Sequence, residues 1–184
     1  MKIAPLFGAA LIAAAALPAY AADITIKMHA ISDKGVGKTI GTIRAVDTKK
    51  GLMLVPRLSG LAAGEHGIHV HQNPSCGAKG PDGKMGAGLA AGGHLDPEKT
   101  SHHEGPTGKG HLGDLPVLTV DSAGDAKKAT YAPHLKVDEL WGRAIVIHAG
   151  GDNYSDQPKP LGVGGARVAC GTIKKDAPKA MKKM

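Results

Sequence analysis

Side chains that can bind metal ions are concentrated in three parts of this sequence. They are His69, His71, His94, His103, His111, Asp114 and His148. Imidazole nitrogens are good ligands for copper and zinc, and a carboxylate adds a harder oxygen ligand. The chain contains 10 histidines in all. Most of them therefore lie where a metal ion could use them, which predicts a metal site.

The first part is a His-x-His pair. His69 and His71 are two residues apart, and on a strand this spacing places both imidazoles on the same face. His148 ends the apolar run 144–147, so a second strand could bring it to the same metal ion. Either feature alone would be weak evidence, because single histidines on strands are often structural.

The segment between His94 and Asp114 carries a stronger signal. It holds His94, His103 and His111 together with the carboxylate of Asp114. Three histidines and one carboxylate on a folded loop match the ligands of a four-coordinate zinc site. The alternative is a hydrated polar loop in which the histidines occur by coincidence.

The elements that must position these side chains are predicted to be strands. Eight short segments, β-branched in places, are separated by glycine, aspartate and proline. They are residues 24–29, 39–46, 51–58, 65–71, 115–120, 126–131, 143–148 and 166–173. The 27 glycines suit turns and long loops better than helices. This pattern predicts one all-β domain, a sandwich or flattened barrel, with long functional loops at 72–113 and 149–165.

The N-terminus predicts export. Residues 1–21 combine Lys2, a short apolar core and the small-x-small sequence Ala19-Tyr20-Ala21, which together are typical of a secretory signal peptide. The apolar run is too short to span a bilayer comfortably, so stable membrane insertion is not expected; a retained anchor is the alternative. Cys76 and Cys170 could bond in an oxidising compartment, or remain as two free thiols.

The charge of the chain narrows its partners. The formal net charge is +7, and removal of Lys2 with the leader leaves 22 basic and 16 acidic residues, or +6. Part of this charge lies in a Lys-rich C-terminal tail, residues 174–184. Aromatic residues make up 3% of the chain and no nucleic-acid-binding motif is present, so nucleic acid is not an expected partner. A positive field around a metal site favours a small anion.

Taken together, the motifs resemble the copper/zinc superoxide dismutases in their bacterial periplasmic form. The matching stretches cover nearly all of residues 24–173. They are GEHGIHVH at 64–71, PSC at 74–76, GGHLDP at 92–97, GHLGDLP at 110–116, HAGGDNYSD at 148–156 and GGARVACG at 164–171. The resemblance implies an eight-stranded Greek-key β-barrel or sandwich of immunoglobulin-like architecture, formed by residues 22–173.

The resemblance also implies a role for each site residue. Copper would be bound by His69, His71, His94 and His148. Zinc would be bound by His94, His103, His111 and Asp114, so that His94 bridges the two metals as an imidazolate. Arg167 would attract the anion beside the copper and, with His94, would be catalytic. Asp152 would orient His69 and His103 from behind, and Cys76 and Cys170 would form a disulfide.

One zinc ligand is ambiguous in register. His103 lies nine residues after His94 and three before Pro106, which fits the bacterial pattern, and His102 is the alternative. His29, His66 and His134 match no role in the family pattern. Lys79 and Lys84, in the long loop, are candidates for guiding the substrate by charge.

The implied activity is the dismutation of superoxide in the periplasm. One copper and one zinc per subunit are expected. Copper would cycle between Cu(II) and Cu(I), giving oxygen and then hydrogen peroxide, while zinc is structural. The sequence leaves both a monomer and a homodimer as alternatives. Two other classes remain: a periplasmic copper- or zinc-binding module without catalysis, and an adhesive or structural β-sandwich.

Overall fold

A computed structural model describes residues 22–174 of the chain. The predicted signal peptide and all but the first residue of the predicted tail lie outside the described residues. Nine strands form the described part. They are β1 (Asp23–Ser32), β2 (Gly35–Thr48), β3 (Gly51–Leu58), β4 (Gly64–His66), β5 (Ile68–His71), β6 (Leu118–Val120), β7 (Thr130–Ala132), β8 (Arg143–His148) and β9 (Arg167–Ile173).

The strands form a curled antiparallel sheet and a short ribbon. Seven strands follow the order β5-β8-β9-β1-β2-β3-β7, and β4 pairs with β6. The last strand, β9, lies beside β1, which is followed by β2 and β3. This return of a late strand to the side of the first is the Greek-key relation. The prediction of an all-β Greek-key barrel is confirmed.

The structure departs from the predicted bounds at several strands: β6 (Leu118–Val120) is shorter than the predicted 115–120, β7 (Thr130–Ala132) overlaps the predicted 126–131 only at its end, and one segment is divided in two. The segment 65–71 is not continuous, because Gly67 leaves the sheet between β4 and β5. Its N–H donates to the carbonyl of Gly150, and its carbonyl accepts the N–H of His148. Residues 64–66 therefore pair with β6 and residues 68–71 pair with β8. Eight predicted segments thus give nine strands.

Strand alternation separates the hydrophobic core from the histidines. Ile68 and Val70 of β5 and Ile145 and Ile147 of β8 are buried in the main core. The residues between them point to the opposite face of the sheet. On that face His69 lies opposite Val146 in the antiparallel register. The histidines thus stand on the outside of the barrel wall and are buried by loops.

The covering loops are fixed to the barrel at several points. Residues 72–117 contain a short 3-10 helix, Leu89–Ala91, and residues 149–166 contain another, Leu161–Val163. A disulfide joins Cys76 of the first loop to Cys170 of β9 across 94 residues of sequence. Around it lies a second small apolar cluster that includes Ala91 and Val146. Within residues 22–174, no helix has the length and apolar character needed to cross a membrane.

Candidate metal centre

Four histidine rings converge on one point beside β5 and β8. They belong to His69, His71, His94 and His148, and one ring nitrogen of each lies within 4.8 Å of the others. All four residues are buried. The strands supply three of them, and the isolated bridge between His71 and His94 holds the fourth against β5. The sequence-predicted copper ligands are therefore brought together.

Three of these rings, those of His69, His71 and His148, are held by a hydrogen bond from the nitrogen that points away from the cluster. His71 Nδ1 donates to the carbonyl of Gly92 at 3.0 Å, and His148 Nδ1 donates to the carbonyl of Gly165 at 3.1 Å. His69 Nε2 donates to the carboxylate of Asp152 at 2.7 Å. These contacts fix the tautomer, since the nitrogen that faces the cluster must then carry a lone pair.

A second donor set surrounds the carboxylate of Asp114. His94 Nδ1 lies 3.0 Å from Oδ1, His103 Nδ1 lies 2.9 Å from Oδ2, and His111 Nδ1 lies 3.4 Å from Oδ1. Despite this proximity, the angles at His103 Nδ1 and His111 Nδ1 do not allow a hydrogen bond to the carboxylate. Three nitrogens thus crowd one carboxylate, as expected of atoms that converge on a common cation. His94 presents Nδ1 to this set and Nε2 to the first.

Distance alone would assign His69, instead of His111, to the second set, because donor atoms of His69, His94, His103 and Asp114 lie within 4.8 Å of one another. Hydrogen bonding argues against this. His69 Nε2 already donates to Asp152, and its free Nδ1 belongs to the first set. We therefore place His111 in the second set.

The structure distinguishes His103 from its neighbour. His103 is 1% exposed and lies inside the second set, whereas the side chain of His102 is 71% exposed. The carbonyl of His102 accepts the N–H of His111, and this bond joins the two ends of the loop segment 102–111. Gly110 permits this closure, because a Cβ there would lie 2.3 Å from that carbonyl oxygen.

Asp152 connects the two sets. While Oδ2 accepts from His69, Oδ1 accepts from His103 Nε2 at 2.8 Å and from the N–H of Tyr154 at 2.8 Å. Gly162 packs directly behind this junction with φ of 74°, and a Cβ there would lie 2.1 Å from Oδ1. One carboxylate therefore orients one histidine of each set.

In the first set, the surroundings keep the imidazoles neutral, which is the protonation state that can bind a metal ion. Burial lowers the pKa of His69 to about 3 and the pKa of His148 to about 4, and it lowers the pKa of His71 well below the usual value. These imidazoles are neutral near pH 7, as copper and zinc require.

In the second set, burial opposes protonation of His103, but Asp114 and Asp152 outweigh it and raise its pKa to about 9. Burial likewise works against ionisation of Asp114, yet the adjacent histidines hold the pKa of that carboxyl well below its usual range. The carboxylates of Asp114 and Asp152 therefore attract positive charge, which a protonated His103 or a bound cation can supply.

Arg167 lies at the edge of the first set. Its guanidinium donates to the carbonyl of Gly88 at 2.7 Å and to that of Gly92 at 2.6 Å. The carbonyl of Gly92 also accepts from His71, so the arginine and a ring of the first set share an anchor. Of the two lysines predicted to guide an anion, Lys84 pairs with Asp82 at 3.1 Å, which reduces its effect.

Sequence reasoning missed the role of His66. Its ring is buried, with Nδ1 2.6 Å from the carbonyl of His148 and Nε2 2.8 Å from that of Ala62. It therefore ties β4 to the end of β8, directly behind a histidine of the first set. The signal available in the sequence was its position three residues before His69.

The unpaired atoms indicate what the site binds. Among residues 22–174, seven buried side-chain polar atoms have no hydrogen-bond partner, and six of them are histidine nitrogens of the two sets. A buried polar atom without a partner is costly, so these six need a ligand that is not a protein group. The fold and site together define a class: β-barrel metalloproteins with two adjacent, histidine-rich cation sites.

Comparisons with known proteins identify the family. The family model "Copper/zinc superoxide dismutase (SODC)" matches residues 39–173. The chain is 54% identical over 157 residues to superoxide dismutase [Cu-Zn] 2 of Salmonella typhimurium, covering 85% of this chain and 91% of that protein.

Solved structures agree. The Cu/Zn superoxide dismutase from Brucella abortus has a TM-score of 0.80 at 48% identity, covering 83% of this chain and 99% of that one. The monomeric copper, zinc superoxide dismutase from Salmonella enterica has a TM-score of 0.74 at 52% identity, covering 83% of this chain and 100% of that one. This chain belongs to the copper/zinc superoxide dismutase family and is an oxidoreductase.

Proposed function

We propose that the first donor set holds copper and the second holds zinc, one of each per chain. The copper ligands are His69, His71, His94 and His148. The zinc ligands are His94, His103, His111 and Asp114. The observation that carries this assignment is the pattern of six buried, unpaired histidine nitrogens, arranged so that His94 presents one nitrogen to each set.

The chemistry of the donors supports the order of the two metals. The first set consists of imidazoles alone, which suits copper, and bound copper supplies the one-electron exchange that converts two superoxide anions and two protons into oxygen and hydrogen peroxide. The second set adds a carboxylate, which suits a redox-inert zinc with a structural role.

His94 has the geometry to handle a proton during turnover. Its Nδ1 is held at Asp114, so a proton gained or lost is confined to Nε2, which faces the first set. In this proposal Nε2 takes a proton between the two half-reactions and delivers it to the peroxide product.

Arg167 serves to attract and orient the anion. A guanidinium remains charged and presents several donors in a fixed plane, which suits a small two-atom anion. Its two bonds to the Gly88 and Gly92 carbonyls hold that plane beside the first set and leave its remaining N–H groups for substrate. Asp152 is a positioning residue in this scheme, because it acts through His69 and His103.

The remaining parts of the chain support a periplasmic enzyme. Residues 1–21 have the composition of a signal peptide, and the disulfide is suited to an oxidising compartment. The expected partner is superoxide. Residues 22–173 would form the enzyme domain, followed by the Lys-rich tail.

The test is metal content and dismutation measured on the same mature protein. We expect one copper and one zinc per chain, activity that is lost when copper is removed, and activity that returns when copper is restored. Zinc without activity, even after copper is supplied, would indicate a metal-binding module instead.

A further inference from the structure

A cleft of about 620 Å³ opens beside the second donor set. Most of the ionisable side chains that line it can bind a cation. They are four carboxylates and two imidazoles: Asp96, Glu98, Asp114, Glu139, His111 and His134. Lys109 is the one lysine or arginine among the described residues that line it. The whole chain carries a net charge of +7, so this cluster of carboxylates is an acidic region on a basic protein.

The cleft reaches the second donor set at its least covered member. The side chains of His94, His103 and Asp114 are 0–1% exposed, whereas that of His111 is 8% exposed. His111 and Asp114 both line the cleft, and His111 Nδ1 lacks a hydrogen-bond partner. Solvent thus approaches this set along the edge of His111. Three histidines of the first donor set, His69, His71 and His148, do not line this cleft.

We propose that the cleft is the path by which Zn²⁺ reaches and leaves the second donor set, on a side of the site separate from the Arg167 approach used by the anion. This inference rests on the proposed function, because it takes the second set to be the zinc site.

Two physical effects support a cation path here. Acidic groups on low-dielectric walls concentrate cations, which on a basic protein directs Zn²⁺ to this opening and away from the positive surface elsewhere. Carboxylates and imidazoles can also replace the waters of the ion stepwise before it reaches His111. Asp96 and Glu139 are less available than Glu98, because the carboxylate of Asp96 accepts the N–H groups of Thr100 and Ser101 and that of Glu139 accepts the N–H of Lys136.

Two changes test the path by independent means. The first is His134→Trp, which narrows the mouth of the cleft at an exposed position. The second is the double change Glu98→Gln and Glu139→Gln, which removes two charges and keeps side-chain size. Asp138→Asn is the matched control, because Asp138 is an exposed neighbour of Glu139 that does not line the cleft.

The readout is zinc exchange, measured apart from activity. The full holoenzyme is incubated with isotopically enriched Zn²⁺, and replacement of the bound ion is followed by mass spectrometry. Zinc uptake by zinc-stripped full chain is measured at low and at high salt. We expect His134→Trp to slow exchange several-fold while one zinc per chain is retained.

We expect the double variant to take up zinc about three- to tenfold more slowly at low salt, with the difference disappearing at high salt. Asp138→Asn should match the parent protein. Unchanged exchange and uptake in both cleft variants would overturn the path. A parent chain that binds no zinc, or does not dismutate superoxide, would instead overturn the proposed function.

Discussion

Asp152→Asn tests whether one carboxylate orients a ligand of each metal. Asp152 accepts from His69 Nε2 with one oxygen and from His103 Nε2 with the other. Asparagine keeps the size of the side chain but replaces one oxygen with an NH₂ donor. A ring N–H that meets this donor must turn away or move its proton to Nδ1. Nδ1 is the atom that faces the first donor set in His69 and the second donor set in His103.

The loss of metal affinity should be larger for the metal whose histidine ligand has fewer other contacts to hold it in place. His69 lies on β5, where pairing with Val146 of β8 fixes its backbone. His103 lies on a loop, where its backbone N–H bonds to Asp156 and its Nδ1 lies beside Asp114, but no strand pairing fixes its backbone. We therefore expect zinc affinity to fall about 10–100-fold, the range for residues that orient metal ligands. This corresponds to about 1.4–2.8 kcal/mol. Copper affinity should fall less.

Competitive chelator titrations of the purified protein for each metal measure this effect. Asp156→Asn is the control, because it removes a carboxylate from the same loop that bonds the backbone of His103 but neither of its ring nitrogens. The control should retain zinc more tightly than Asp152→Asn. Copper loss with zinc unchanged would refute the ranking of the two histidines, and no change in either affinity would refute the orienting role itself.

Four further predictions address other parts of the molecule. His148→Ala removes a proposed copper ligand and should abolish dismutation while one zinc per chain is retained; full activity would contradict the assignment. Arg167→Ala should slow turnover roughly tenfold at low salt without emptying the copper site, and a salt-independent, unchanged rate would count against anion guidance. Cys170→Ser opens the disulfide and should lower the free energy of unfolding by about 4–5 kcal/mol on the chain-entropy model for a 94-residue separation, as measured by denaturant titration. His66→Ala removes the ring that contacts the buried carbonyl of His148 and the more exposed carbonyl of Ala62, and it should cost roughly 1–3 kcal/mol in the same titration; a stability equal to the parent protein would contradict this tethering role.

Local sequence patterns predicted the positions of most strands and the type of site. Period-two alternation places His69 and His71 on one face, because successive side chains on a strand point to opposite sides. Segments 51–58 and 143–148 were predicted with the bounds observed for β3 and β8. The types of ligand followed from composition, since three histidines and a carboxylate within one glycine-rich loop suit zinc.

Other features required the tertiary structure, because they depend on pairs of residues distant in sequence. Gly67 interrupts a segment that reads as one strand, since its backbone bonds to Gly150 and His148, about 80 residues away. The role of His66 depends in the same way on a carbonyl of His148. The sequence around Gly67 and His66 gives no sign of these distant hydrogen-bond partners.

What the sequence alone determined was the set of side chains able to bind metal and the β-strand periodicity that orients them, because both depend on near neighbours. What the tertiary structure decided was which nitrogen of each ring is free. Spacing favoured His103 and left His102 as the alternative; burial against Asp114 and the bond to Asp152 decide for His103. The acidic cleft beside His111 likewise exists only after loops from three parts of the chain meet. Long-range contacts fix these features, and long-range contacts are set by the fold as a whole.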